Sequence, residues 1–291
     1  MTVLSFENVS YSYSKNGKKA IQNINFQVQK GELIAVVGKN GAGKTTLLKH
    51  INGLLHPTSG IIRVKGEDIR EEKLSKMATI VGFAFQNPDH QLFAESVKKE
   101  LIFGPKNLGR TGEECQQLLQ KMAKQFNISH LLHRNPITLS GGEKRLVSIA
   151  SVLTMNQELL VLDEPTFGQD YQQKQRLGRY FRALTEKGLT IILVSHDLDF
   201  IADFVPRILV LADGHLIADG STKEIFMDKK LLIKADLVEP VLLELSQTLQ
   251  KHLPSFHPSF LMEEVKDELE RIYMKKSDKK SENPKKRGGN H

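Results

Sequence analysis

The stretch from Gly38 to Thr46 reads "GKNGAGKTT", and no other segment narrows the fold of this 291-residue chain as much. It fits the spacing G-x-x-x-x-G-K-[ST]. It follows "ELIAVV", a short apolar run that reads as a buried strand. It precedes "TTLLKHINGLL", whose apolar residues recur at helical steps. A strand, a glycine-rich turn and a helix in that order make a cradle for an anion. Gly38, Gly41 and Gly43 let the backbone turn tightly and aim its N–H groups inward. Lys44 supplies a cation for the β- and γ-phosphates of a nucleotide, and Thr45 a hydroxyl suited to Mg²⁺. Asn40 and Thr46 stand in the same loop as further candidate contacts. The helix that opens near Lys44 turns its positive end to the same point. A glycine-rich turn without a ligand is the alternative, and it leaves the flanking strand and helix unexplained.

The rest of the chain supplies a frame for such a loop. Residues 2–30 alternate apolar and polar in "VLSFENVSYSY" and "INFQVQ", with a turn at Asn16 and Gly17, which predicts a β-rich opening. "GIIRVKG" and "ATIVGFAF" are two more strand candidates. "LLVLDE" (159–164) and "TIILVS" (190–195) are near-continuous apolar runs, as in strands buried on both faces of a parallel sheet. A helical pattern, "YQQKQRLGRYFRALTEKG", joins them. From about 87 to 155 the sequence is mostly helical, and "GEECQQLLQKMAKQF" sets Leu118, Leu119, Met122 and Phe126 on one face. Strands alternating with helices predict an α/β fold. Past 227 come two amphipathic patterns, one striped with Leu242, Leu245, Leu249 and Leu253, the other with Leu261, Val265, Leu269 and Ile272.

Composition removes other classes. No apolar run approaches the roughly eighteen residues of a membrane span, and "MTVLSFENVS" lacks the layout of a signal peptide, so the chain is expected in the cytosol unless a partner holds it elsewhere. Cys115 is the only cysteine, which excludes an internal disulfide and a cysteine zinc site. The net charge of +7 is concentrated in the last 17 residues, "KKSDKKSENPKKRGGNH". That places a solvated, disordered basic tail at 275–291 and makes a nucleic-acid partner unexpected.

Two acidic residues complete a nucleotide site. In "LLVLDEP", Asp163 ends a buried strand, where a carboxylate can hold Mg²⁺ directly or through water. Glu164 follows, where it can face a γ-phosphate and act as a base on water. A strand-end capping Asp would explain Asp163 alone, but not the pair.

With "LSGGEKR" (139–145) the chain resembles the ABC-type ATPases, whose signature usually reads LSGGQ. Here Glu143 stands in place of the Gln. Ser140, Gly141 and Gly142 open a helix and expose a second set of N–H donors. The resemblance implies that Ser140, Gly141, Gly142 and Glu143 close over ATP held by another subunit. It also implies that Gln86, after a strand, contacts Mg²⁺ and the γ-phosphate, and that His196 in "VSHD" contacts the γ-phosphate. Asp170 in "FGQD" falls in the D-loop, where Gln169 replaces the commoner Leu. Tyr13 matches the aromatic that stacks on adenine, with Tyr11 a near competitor. The implied fold is a P-loop ATPase with a mixed sheet core, an N-terminal antiparallel β subdomain, an inserted helical subdomain and a helical C-terminal extension. The implied ligands are ATP and Mg²⁺.

A narrower resemblance comes from "FQNPDHQLFAESVKKELIFGPKNLG", which is similar to the corresponding region of the energy-coupling-factor (ECF) ATPases. It implies an importer of a vitamin or transition-metal ion, with the protein peripheral on the cytoplasmic side of the cell membrane. Implied partners are a second ATPase, identical or not, a transmembrane coupling subunit and a small membrane substrate-binding subunit. Leu92 and Phe93, expected at a helix start, either pack in the helical insert or line a docking groove. A conventional ABC importer or exporter is the alternative. A translation factor, a DNA-repair ATPase or a non-hydrolysing switch fits less well, since there is one ATPase domain, no heptad insert and no CxxC, and Glu164 and His196 are both present. The expected organisation is an ATPase domain at 1–227, a helical extension at 228–274 that either contributes dimer contacts or covers apolar surface of the main domain, and the tail.

Overall fold

Alternation at the N-terminus produces paired strands. β1 (Thr2–Tyr11) and β2 (Ile21–Gln29) run antiparallel, with Phe6 opposite Phe26 and their rings stacked at 4.6 Å. The structure, a computed structural model, describes residues 1–14 and 17–281, with side chains to residue 274. The turn residue Asn16 therefore lies outside the described residues. β3 (Leu33–Val37) and α1 (Lys44–Ile51) flank the glycine-rich loop. The chain then returns through β4 (Ser59–Val64) and β5 (Glu67–Asp68) to complete a sheet of order β2-β1-β4-β5, antiparallel throughout.

One expected strand proves shorter. "ATIVGFAF" divides between α2 (Leu74–Ile80) and β6 (Val81–Ala84). Met77 is buried on α2, and the Val81 N–H bonds back to the Met77 carbonyl, a helical bond that satisfies the turn locally. Only Val81–Ala84 finds a neighbouring strand. After β6 comes the helical insert, with α3 (Val97–Asn107), α4 (Gly112–Gln125) and α5 (Gly141–Leu153). Leu119, Met122 and Phe126 are buried there as the helical period requires, and Leu118 is half-buried. Leu92 and Phe93 stand in the loop before α3, not on a helix.

β7 (Leu159–Asp163), α6 (Tyr171–Glu186), β8 (Thr190–Val194), α7 (Leu198–Phe204), β9 (Arg207–Ala212) and β10 (His215–Ser221) complete a second sheet of order β10-β9-β3-β8-β7-β6. Its strands are parallel except β10. Every residue of β3, β7 and β8 is buried, which is why these strands read as unbroken apolar runs. Leu47, Leu48 and Ile51 of α1 share one core with Ile34, Val161 and Ile192 of this sheet and with Leu4, Phe6 and Ile24 of the first. That core anchors the helix whose first turn carries Lys44.

α8 (Thr222–Met227) and α9 (Lys229–Ala235) bury Ile225, Phe226, Leu232 and Ala235, and belong to a unit that spans Met1–Leu237. The division of the chain thus comes ten residues after the 227/228 boundary read from sequence. The second unit contains α10 (Val241–His252) and α11 (Met262–Ser281), with a core of Phe256, Val265 and Ile272 lined by Leu242, Leu249 and Leu253. Leu245 is not in that stripe. It is exposed, while Leu243 and Ser246 are buried, and the Ser246 hydroxyl accepts the Ser259 N–H at 3.1 Å. Leu269 is exposed as well. α11 continues to Ser281, into the stretch read as a disordered tail, and residues 282–291 lie outside the described residues. Among the described residues no helix is long and apolar enough to cross a membrane.

Candidate active site

The parallel register brings the ends of β3, β7 and β8 together: Val36 pairs with Val194, and Val194 with Asp163. Ligands of open α/β sheets bind at such carboxyl ends. A cleft of about 330 Å³ lies there. The glycine-rich loop contributes Asn40, Gly41, Gly43, Lys44, Thr45 and Thr46 to it. Asp163, Glu164 and His196 come from the sheet edge, while Tyr13 and Gln86 come from beyond β1 and β6.

Gly38 lies beneath the cleft, and no side chain could replace its hydrogen. Its φ is 145°, and a Cβ would stand 2.1 Å from the Leu211 carbonyl oxygen. Its own carbonyl accepts Lys44 Nζ at 2.6 Å, and the Lys39 carbonyl accepts the same group at 3.0 Å. Burial lowers the Lys44 pKa, and the Glu164 and Asp163 carboxylates oppose that shift. Thr45 is exposed, whereas Thr46 is buried with its hydroxyl 3.0 Å from the Tyr13 hydroxyl. This settles which tyrosine faces the cleft. Tyr11 packs against the core, edge-on to His50 at 4.8 Å, and Tyr13 stands 62% exposed at the cleft mouth.

The acidic pair is buried. Burial, and then the Glu164 charge beside it, pushes Asp163 up to about 6. Burial likewise raises Glu164, while the His196 N–H at 3.2 Å and the Ser195 hydroxyl at 3.4 Å bond to its Oε2 and pull the other way. Glu164 has a φ of 52°, a left-handed conformation that costs a glutamate on the order of 1 kcal/mol or more. Its N–H bonds to the Val194 carbonyl at 2.8 Å, which holds that conformation in place. Oε1 is buried without a hydrogen-bond partner among the described residues, 3.6 Å from His196 Nε2. Burial, followed by the Lys44 charge, lowers the His196 pKa and keeps its ring neutral at pH 7. A carboxylate held by one oxygen, with the other unpaired, can receive a proton from water. Two adjacent buried carboxyl groups beside the Thr45 hydroxyl and Gln86 make an all-oxygen donor set of the kind Mg²⁺ prefers.

Ser140, Gly141, Gly142, Glu143 and Asp170 lie outside this cleft. The Ser140 hydroxyl accepts the Glu143 N–H at 3.3 Å, and Glu143 Oε2 accepts the Ser140 N–H at 2.8 Å, so Glu143 completes a capping box on α5. Asp170 does the same for α6 with Gln173. Ser140 and Gly141 remain exposed.

Sequence reasoning missed Arg145. It is buried (1% exposed) and donates from Nη1 to the Phe85 carbonyl at 2.5 Å and from Nη2 to the Gln86 carbonyl. Lys144 pairs with Asp89 at 2.7 Å, and the Gln91 amide donates to the Ser148 carbonyl at 2.7 Å. The start of α5 is thus bonded to the segment that carries Gln86. The signal was there to be read, because Arg145 shares a helical face with buried Ser148, Ile149 and Val152.

Residues 21–167 match the family model of ABC transporters. A putative ABC transporter ATP-binding protein of Methanosarcina acetivorans is 40% identical over 271 residues, covering 93% of this chain and 83% of that protein. The energy-coupling factor transporter ATP-binding protein EcfA of Methanothermobacter thermautotrophicus is 41% identical over 240 residues, covering 82% of this chain and 77% of that protein. Among solved structures, cbiO1 of Clostridium perfringens, part of the ABC transporter complex cbiONQ, is similar with a TM-score of 0.73 and 32% identity, over 87% of this chain and 98% of that one.

Proposed function

We infer the activity from one premise: this chain belongs to the ABC transporter family of ATP-binding proteins. It binds and hydrolyses ATP as the energising subunit of an ECF-type importer. The observation that carries this reading is the meeting of Lys44, Thr45, Asp163, Glu164 and His196 in one cleft. The loop N–H groups and Lys44 hold the phosphates, and the Tyr13 ring stacks on adenine. Glu164 takes a proton from water as its oxygen attacks the γ-phosphorus in line. The bond to the β-phosphate oxygen breaks, leaving ADP and phosphate. Neutral His196 offers one ring N–H to a γ-phosphate oxygen. Mg²⁺, held by Thr45 and Asp163 with Gln86, would neutralise charge on the β- and γ-phosphates.

Ser140 and Gly141, exposed and outside this chain's own cleft, close over ATP held by a second ATPase subunit, identical or not. Membrane partners are a transmembrane coupling subunit and a small substrate-binding subunit, with the protein peripheral at the cytoplasmic face. The cargo is a vitamin or a transition-metal ion, since the resemblance of "FQNPDHQLFAESV" to the ECF ATPases extends to both. Phe93 is the docking residue. It is 65% exposed, edge-on to exposed Phe103 at 4.7 Å, whereas Leu92 is buried. Buried Glu100 presents the loop by accepting the Phe93 and Ala94 N–H groups at 3.0 and 2.8 Å. Phe93→Asp is expected to abolish assembly with the coupling subunit while the isolated subunit keeps its ATP affinity. Assembly at the parent level would remove Phe93 from the interface. Co-purification from membranes, with mass spectrometry of the proteins and small molecules recovered, tests the importer class. Recovery of a complex without a small substrate-binding membrane subunit would favour a conventional ABC transporter.

A further inference from the structure

Gln169 is the departure from the family pattern that the proposed function does not use. It lies in the turn before α6, outside the cleft that holds Lys44. Although an amide, its side chain is buried, 8% exposed. Nε2 donates to the Gly142 carbonyl at 3.0 Å. That acceptor fixes the amide orientation, because a flipped group would set Oε1 against a carbonyl oxygen. Oε1 is buried and has no hydrogen-bond partner among the described residues. The backbones are equally close: a Cβ on Gly142 would stand 2.9 Å from the Gly168 carbonyl oxygen. The turn before α6 and the first residues of α5 therefore pack glycine on glycine, and one side-chain hydrogen bond crosses the seam.

Leucine, of similar volume, could fill this place but could not make that bond. It would also spare the fold an unpaired buried amide oxygen. Gln169 thus weakens the folded subunit at one atom while fixing two turns that neither bind nor hydrolyse this chain's own ATP. We propose that Gln169 is a positioning residue that fastens the turn at Phe167–Asp170 to the signature turn at Ser140–Gly142, so that both meet the second subunit as one preformed edge. The proposal rests on the reading that Ser140–Gly142 close over ATP held by that subunit. An edge fixed before contact loses less freedom when the subunits join, so the hydrogen bond acts on association.

The test uses the full chain carrying Glu164→Gln, which is expected to hold ATP without turnover, with and without Gln169→Leu. Three quantities are measured: MgATP affinity of the dilute subunit, the MgATP-driven dimer Kd by analytical ultracentrifugation, and Tm. Gln169→Leu is expected to weaken the dimer by about three- to tenfold, with MgATP affinity unchanged and Tm equal or higher. Gln169→Glu, which keeps an acceptor and loses the donor, is expected to weaken the dimer equally while lowering Tm. Stability and association moving in opposite directions for Leu is a pattern that a merely structural role does not give. A dimer Kd equal to the parent's, or a joint loss of Tm and association in Gln169→Leu, overturns the proposal. If the parent forms no dimer with MgATP, the second subunit is not a copy of this chain, and this inference, which is drawn for two copies, fails.

Discussion

Glu164→Gln yields a protein that binds ATP and scarcely hydrolyses it, with kcat lowered by about 10²- to 10⁴-fold, the usual worth of a general base. The substitution preserves shape. Oε2 now accepts from the His196 N–H and the Ser195 hydroxyl, and an amide oxygen can take both bonds. What it cannot do is accept a proton from water. The free protein does not suffer for the exchange. A buried carboxylate whose pKa is raised by burial is costly as an anion, and Asp163 is relieved of the neighbouring charge that raises it. Tm without nucleotide is therefore expected to hold or rise. With MgATP the variant accumulates as a dimer, because the step that reopens it is blocked. Phosphate release at saturating MgATP, with light scattering in parallel, checks both outcomes. Turnover at the parent's rate would leave Glu164 without the role of base.

The reach of the sequence follows from how local each contact is. The glycine-rich loop was legible because its pattern is written in nine adjacent residues, Gly38 to Thr46, and its flanking strand and helix form where the pattern puts them. Asp163 and Glu164 could be marked as candidates because fully buried parallel strands read as apolar runs, and strand ends collect ligand-facing residues, whereas His196 was marked by the family resemblance. Tyr13 could not be told from Tyr11 by spacing, since the choice depends on β1 passing close to α1, where Thr46 takes one hydroxyl and His50 the other ring. "ATIVGFAF" misled because β-branched residues close a helix when a buried Met77 holds that helix down. The burial of Arg145 shows in the sequence only through the helical face it shares with apolar residues, and that of Gln169 does not show at all. Their acceptors, the carbonyls of Phe85, Gln86 and Gly142, are backbone atoms that no residue type announces.

Lys44→Ala strikes binding where Glu164→Gln strikes chemistry. The Lys44 ammonium now rests on the Gly38 and Lys39 carbonyls, is nearly buried, and is held in its charged form by Asp163 and Glu164. Phosphate oxygens are stronger acceptors than carbonyls, and a hydrogen bond to a charged partner contributes about 1.5–3 kcal/mol. Two of them, at the low end, make about 3 kcal/mol, or roughly a hundredfold in ATP affinity. The loop itself survives the change, because its path is set by Gly38 and Gly43 at φ values of 145° and 104°. Its N–H groups therefore keep a residual affinity, and the loss stops short of complete. Ligand stabilisation separates this from misfolding. At a MgATP concentration of about 100 times the parent's Kd, the parent gains about 2.7 kcal/mol, whereas a hundredfold weaker variant gains about 0.4 kcal/mol. For a chain of this size that is a nucleotide-induced rise in Tm of about 4–5 °C in the parent and below about 1 °C in the variant. A Lys44→Ala protein that melts like the parent without nucleotide, yet keeps the parent's full shift with MgATP, would show that the phosphates are held without Lys44.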